Sequence, residues 1–123
     1  MKAPDLAAVR RLQQIAAMKR DHELARLATI AQGRDRLRTA LATLDRNAAS
    51  LDAATAPGLL QAQIAHQRWV EGRRNLLHQR LALVQADFLD TLPAARRAFG
   101  KADVLARIIE QETTRHRHRG QRP

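Results

Sequence analysis

The stretch DAATAPGLLQ, residues 52–61, places a Pro-Gly pair in a chain that otherwise favours helix from end to end. The proline disfavours helical angles in the residue before it, and the glycine tolerates the positive φ angles of a turn. Residues 6–54 and 59–112 are rich in Ala, Leu, Arg and Gln, which are good helix formers. The sequence therefore predicts an all-α chain of two long helices, with Asp5 as the first N-cap and a turn near Thr55 to Gly58.

Both predicted helices carry apolar residues at alternating spacings of three and four, the seven-residue repeat of a coiled coil. In the first helix the repeat runs through Leu6, Val9, Gln13, Ala16, Arg20, Glu23, Leu27, Ile30, Arg34, Leu37, Leu41, Leu44, Ala48 and Leu51. In the second helix it runs through Leu60, Gln63, Gln67, Val70, Arg74, Leu77, Leu81, Val84, Phe88, Thr91, Ala95, Ala98, Ala102, Leu105 and Ile109. Few of these residues are polar, so we expect the two sets to pack together as one seam.

The two repeats align when the chain folds back on itself at the turn. Facing residues then have numbers that add to 111, as Leu41 and Val70 do. This symmetry favours one antiparallel coiled-coil hairpin over two helices with independent partners. In the same register Arg34 lies opposite Leu77, and Arg74 lies symmetrically opposite a leucine of the first helix. These arginines either extend their methylenes along the seam or set its register.

The last part of the second helix holds two residues that weaken a helix. Pro93 lacks a backbone N–H, and Gly100 has the greatest backbone entropy to lose. We therefore expect a bend near Pro93, with Thr91 capping a final helix. The predicted domains are a hairpin over residues 1–114 and a disordered basic tail over residues 115–123.

The chain is strongly basic, with 22 Lys and Arg against 12 Asp and Glu and a formal net charge of +10. Such a charge attracts nucleic acid, anionic lipid or an acidic protein surface, because long-range attraction depends on the sign of the partner's charge. The tail holds four of these cations, Arg115, Arg117, Arg119 and Arg122. The tail is thus a candidate site for an acidic protein rim or a phosphate backbone. No aromatic residues alternate with its arginines, which makes nucleic acid the less favoured partner.

The composition disfavours catalysis. The chain has no cysteine, which excludes disulfides and thiolate sites, and His116 and His118 stand among arginines that would repel a metal ion. It has no glycine-rich phosphate loop and no nucleophile elbow. We therefore expect no catalytic, cofactor or metal site. No apolar run approaches the roughly 18 residues of a membrane span, and no signal peptide is recognisable, so we expect a cytoplasmic protein.

Three large apolar residues of the second helix lie outside the seam and recur at seven-residue spacing: Trp69, Leu76 and Leu83. We name them the Trp69 stripe and expect them to be partly exposed in an isolated hairpin. Exposed aromatic and aliphatic surface on a thin scaffold commonly marks a protein contact. Either a different protein or a second copy of the chain, in a homodimer, would cover the stripe.

The layout resembles the small stalk proteins of type III export, the flagellar FliJ family and its injectisome counterparts. The similar features are a first helix beginning LAAVRRLQQIAAMKRDHELARL, a short turn, and a second helix ending RRAFGKADVLARIIEQE before a basic tail. The resemblance implies a non-enzymatic cytoplasmic protein, similar to the central rotor of rotary ATPases. Such a protein sits in the hexameric export ATPase ring, contacts the export gate and helps to recycle substrate chaperones.

The same analogy assigns surfaces to these partners. The ATPase ring would contact the end of the hairpin that holds the termini, at Arg10, Arg11, Arg107 and the tail arginines. Another partner would contact outward residues nearer the middle or the tip of the hairpin, such as Trp69, Arg73 and Leu76. Two other functions also fit the sequence: a basic coiled coil that binds nucleic acid or the nucleoid, and a purely structural oligomerisation module.

Overall fold

The computed structural model describes residues 5–53 and 60–120, which are helical apart from Asp5. Helix α1 spans Leu6–Ala53 and helix α2 spans Leu60–Gly120. The two helices pack against each other as a hairpin, and the described residues contain no strand. The predicted all-α helical hairpin is therefore confirmed. The turn predicted at Thr55 to Gly58 lies outside the described residues.

The chain divides into two compact units, each of which combines part of α1 with part of α2. Unit 1 comprises Met1–Ala28 and Asp90–Pro123, and unit 2 comprises Thr29–Leu89. Because the first part of α1 shares a unit with the last part of α2, the two helices run antiparallel, as predicted.

The predicted seam is the buried face of both helices. In unit 1 the buried residues are Thr91, Ala95, Ala98 and Ala102, and in unit 2 they are Leu41, Val70 and Leu77. All seven belong to the seam. The other seam residues are half-buried except Leu51, Leu60 and Gln67, which are exposed. The seven-residue repeat therefore predicts correctly which face of each helix packs.

Asp5 caps α1 as predicted. The backbone N–H of Ala7 donates a hydrogen bond of 3.1 Å to Oδ1 of Asp5, and the N–H of Val9 donates one of 3.0 Å to the backbone carbonyl of Asp5. The side chain thus satisfies one of the N–H groups that a helix N-terminus leaves without a partner.

Helix α2 continues through both residues that were expected to weaken it. Pro93 and Gly100 lie inside the helix, and Thr91 is a buried residue of the helix interior, so the prediction that Thr91 caps a new helix is wrong. An interior proline removes one backbone hydrogen bond. Pro93 is exposed, while Thr91 and Ala95 on either side are buried, so packing along the seam compensates for that loss. The bend near Pro93 stays a prediction.

The tail is helical as far as the structure describes it. Helix α2 ends at Gly120, so the disorder predicted from residue 115 is wrong up to residue 120, and residues 121–123 lie outside the described range. Arg117, His118 and Arg119 occupy the last turn, where positive charge interacts favourably with the helix dipole. Arg115 also forms an ion pair of 3.2 Å with Glu112, one turn earlier.

The axial register of the seam in unit 2 differs from the predicted one. Arg74 binds Asp45, and Arg34 lies over the ring of Phe88 rather than opposite Leu77. The residue numbers in these two pairs add to 119 and 122 instead of 111. At the helical rise per residue, these differences correspond to axial displacements of about 12 Å and about 16 Å. Such distances exceed the reach of the side chains.

A shift of one heptad explains why the repeat did not reveal this register. A one-heptad shift raises the sum of facing residue numbers from 111 to about 118 and leaves the same residues on the seam. Ala48 and Val70, whose numbers add to 118, line one groove. The spacing of apolar residues determines the packed face of a helix, whereas its axial position depends on individual contacts.

Candidate interaction surfaces

The Trp69 stripe faces solvent in unit 2. The exposed fractions are 60% for Trp69, 37% for Leu76 and 69% for Leu83, and Arg73 beside them is also exposed. These large apolar side chains lie off the seam, so α1 does not cover them. The exposure expected from the sequence is present, and the role of the stripe in binding stays a prediction.

Trp69 has a neighbour that the sequence reading missed. Its ring stacks on the imidazole of His66, with ring centroids 6.0 Å apart and planes 22° from parallel. His66 is half-buried whereas the predicted seam residue Gln67 is exposed, so the histidine takes the inward position. Nε2 of His66 is buried, and among the described residues it has no hydrogen-bond partner. The imidazole therefore holds one face of the indole against the hairpin.

A groove of about 370 Å³ adjoins this stacked pair. Leu44, Ala48 and Leu51 of α1 and His66, Trp69 and Val70 of α2 contribute to its lining. Trp69 thus forms one wall of a concave surface in unit 2 and is more than an isolated exposed ring. A partner that covers Trp69 would also reach this groove.

Seven arginines are predicted to meet a partner near the termini, and six of them lie within the described residues, where all six are exposed and belong to unit 1. Arg122 lies outside the described residues. Arg107 forms an ion pair of 3.1 Å with Asp103, and Arg115 forms one with Glu112. Within the described ranges, Arg10, Arg11, Arg117 and Arg119 make no ion pair. Their charges are therefore available to an acidic partner.

Unit 1 also contains an apolar groove that the sequence reading did not identify. It has a volume of about 680 Å³, and we name it the Leu12 groove. It is lined by Leu12, Ile15, Ala16 and Lys19 of α1 and by Arg97, Gly100, Lys101, Val104 and Leu105 of α2. Leu12, Ile15 and Val104 lie next to seam positions in sequence, so a strict heptad reading leaves them out. The three-residue spacing of Leu12 and Ile15 was the available signal.

No group of three or more His, Cys, Asp or Glu side chains in residues 5–53 and 60–120 is placed to hold a metal ion. Over the same residues, neither helix has an apolar stretch long enough to cross a lipid bilayer. Comparisons of the chain with models of protein families, with curated proteins and with solved structures found no match.

Proposed function

We propose that the chain is a non-enzymatic coiled-coil component of a type III protein export apparatus, flagellar or injectisome, which binds the export ATPase ring, the export gate or export chaperones in the cytoplasm. The observation that carries this proposal is the exposed Trp69 stripe on a hairpin whose seam is already packed. A side chain as large as Trp69 left uncovered on a two-helix scaffold favours binding to another protein.

The layout of the chain supports the choice of export system. The FliJ-like features noted in the sequence fall on α1, which has nearly the predicted bounds, and on the last part of α2, which begins near the predicted residue and ends eight residues later than predicted. Helix α2 continues to Gly120, so its basic end presents Arg117 and Arg119 from an ordered backbone. An ordered basic helix end would lose less conformational entropy than a disordered tail on binding an acidic ring.

The Trp69 stripe would supply most of the binding energy for the second partner. An aromatic side chain can bury about 150–250 Å² in an interface, and truncation of a central one typically costs about 2 kcal/mol or more. That cost corresponds to a Kd raised about thirtyfold. Arg73, which is exposed beside the stripe, would select partners with acidic groups around an apolar patch.

The test is to purify the chain with the export ATPase, the cytoplasmic part of the export gate and an export chaperone, each in turn. We expect the native chain to bind at least one of them, and Trp69→Ala or Leu83→Ala to weaken that binding about thirtyfold. Leu89→Ala is the matched control, because Leu89 is 65% exposed on the same helix but points away from the stripe. In cells, deletion of the gene should reduce export, and the native chain should restore it.

Two results together would refute this function: no association with any of the three export proteins, and normal export after deletion. Association that Leu89→Ala weakens as much as Trp69→Ala does would instead refute the role of the stripe.

The arginines without ion pairs favour nucleic-acid binding as a second candidate function. Arg10, Arg11, Arg117 and Arg119 carry charge that no described acidic side chain neutralises. If these residues bind phosphates, affinity for duplex DNA should fall steeply between about 50 and 200 mM salt, and substitution of two of them by Ala should flatten that slope. Absence of a gel shift at about 50 mM salt would exclude this function.

A further inference from the structure

We propose that the Leu12 groove binds an amphipathic helix of another protein, with the helix placing its apolar face on the groove and its acidic residues at the rim. This inference is independent of the export function, because it rests on the shape and charge of unit 1 alone.

Three large apolar residues of the groove are more than half exposed. Leu12 is 55% exposed, Ile15 is 63% exposed and Val104 is 54% exposed, and each belongs to a row of lining residues along its own helix. Two such rows on neighbouring antiparallel helices line the groove. Apolar residues at this spacing are what the ridge of a third helix packs against.

The charge around the groove identifies the chemistry of that helix. Lys19, Arg97 and Lys101 line the groove and are exposed, and within the described residues none of them makes an ion pair. The nearby carboxylate of Asp103 is already paired with Arg107. Three cations without partners beside an apolar surface complement a helix with Glu or Asp flanking its apolar face.

Charge also argues against a second copy of this chain as the occupant. The chain carries a formal net charge of +10, so a second copy would bring further cations toward Lys19, Arg97 and Lys101. A lipid surface is the other occupant that an exposed apolar and basic surface could take, and the vesicle arm of the experiment below separates it from a helix. A helical protein segment satisfies both the charge and the shape.

Gly100 provides a way to block the groove without damaging the fold. A Cβ atom built on Gly100 meets no atom within 4 Å, so a larger side chain there extends into open space. Substitution of a helical glycine also improves helix propensity. Gly100→Leu should therefore place a bulky side chain in the groove while α2 stays intact. Gly72→Leu is the matched control, because Gly72 is a glycine of the same helix with open space around it, in unit 2.

The experiment uses the purified full chain and two labelled 20-residue amphipathic peptides with the same leucine face. Glu flanks that face in one peptide and Lys in the other, and binding is followed by fluorescence anisotropy. We expect the Glu peptide to bind, Gly100→Leu and Lys101→Glu each to raise its Kd about tenfold or more, and the Lys peptide to bind far more weakly. Gly72→Leu and Arg96→Glu, which alter exposed residues outside the groove, should leave the Kd within about twofold.

Several outcomes would overturn the proposal. Equal affinity for both peptides would remove the charge argument, and unchanged binding by both Gly100→Leu and Lys101→Glu would place the peptide elsewhere. A Kd raised by Gly72→Leu alone would place it on the Trp69 stripe. Binding to phosphatidylglycerol vesicles but not to the Glu peptide, lost in Gly100→Leu, would identify a lipid surface as the occupant. A dimer in sedimentation that Gly100→Leu dissociates would identify a second copy.

Discussion

Arg74 donates two hydrogen bonds to Oδ1 of Asp45, from Nε at 3.0 Å and from Nη2 at 2.6 Å, and so joins α2 to α1 within unit 2. The arginine occupies a seam position but sends its guanidinium to the edge of the helix pair, where its side chain is 38% exposed and that of Asp45 is 57% exposed. Because a one-heptad slip would separate these two groups by about 10 Å along the axis, the pair favours a single register.

This ion pair should contribute little to stability despite its short distances. A double-mutant cycle of Asp45→Ala and Arg74→Ala, measured by urea unfolding, should give a coupling energy of about 0.2–1 kcal/mol, because both groups are partly solvated. The coupling should shrink at about 1 M salt through screening. A coupling above about 2 kcal/mol would mean that the pair is far less solvated than the structure indicates.

Spin labels can test the register directly, because a chain without cysteine allows labels at chosen positions. Thr39, Gly72 and Gln79 are exposed in unit 2, and the last two are one heptad apart on the same side of α2. In the observed register, with sums near 118, a label on Thr39→Cys should be closer to one on Gln79→Cys than to one on Gly72→Cys. The register in which facing residue numbers add to 111 predicts that the label on Gly72→Cys is the closer one. Dilution with unlabelled chain removes distances between molecules.

Replacement of Pro93 should stabilise the protein. Pro93→Ala restores a backbone N–H that can donate to the carbonyl four residues earlier, and the exposed ring contributes little packing. We expect the free energy of unfolding to rise by about 1–3 kcal/mol in urea titrations. Arg96→Ala, at another exposed position of α2, should change it by less than about 0.5 kcal/mol. A loss of stability in Pro93→Ala would show that the proline ring is part of the packing.

The contact of Arg34 with Phe88 should behave as a cation–π interaction. The guanidinium carbon lies 4.9 Å from the ring centroid, and the side chain of Arg34 is 23% exposed. Arg34→Met keeps most of the packing without the charge, and Phe88→Leu keeps an apolar side chain without the ring. The double-mutant cycle of these two variants should give a coupling energy of about 0.5–1 kcal/mol in the free energy of unfolding. The same cycle with Arg36→Met, at an exposed position, should give none.

Periodicity and local chemistry predicted most of the fold. The heptad repeat identified the packed face along both helices, and the side chain of Asp5 identified the start of α1, because both depend on residues close in sequence. The continuity of α2 through Pro93 and Thr91 was not predictable in this way. It depends on burial against α1, which overrides the local preference for a break.

The candidate surfaces were predictable only in part. Trp69, Leu76 and Leu83 repeat every seven residues on one helix, so the stripe could be read from the sequence. The Leu12 groove combines residues of α1 with residues about 85 positions later in the chain, such as Ile15 and Lys101. Such a surface depends on the register of the two helices, which periodicity leaves undetermined by whole heptads.

The seam differs in composition between the two units, and this difference has a dynamic consequence. The buried residues of unit 1 are three alanines and a threonine, whereas those of unit 2 are two leucines and a valine. At about 25 cal/mol per Å² of buried apolar surface, the methyl group of alanine stabilises the packing of two helices less than the larger side chain of leucine does. Amide protons of unit 1 should therefore exchange with deuterium sooner than those of unit 2. A helix bound in the Leu12 groove would slow that exchange by mass action, because it binds only the folded unit. Its binding would therefore be detected as protection of backbone amides in unit 1.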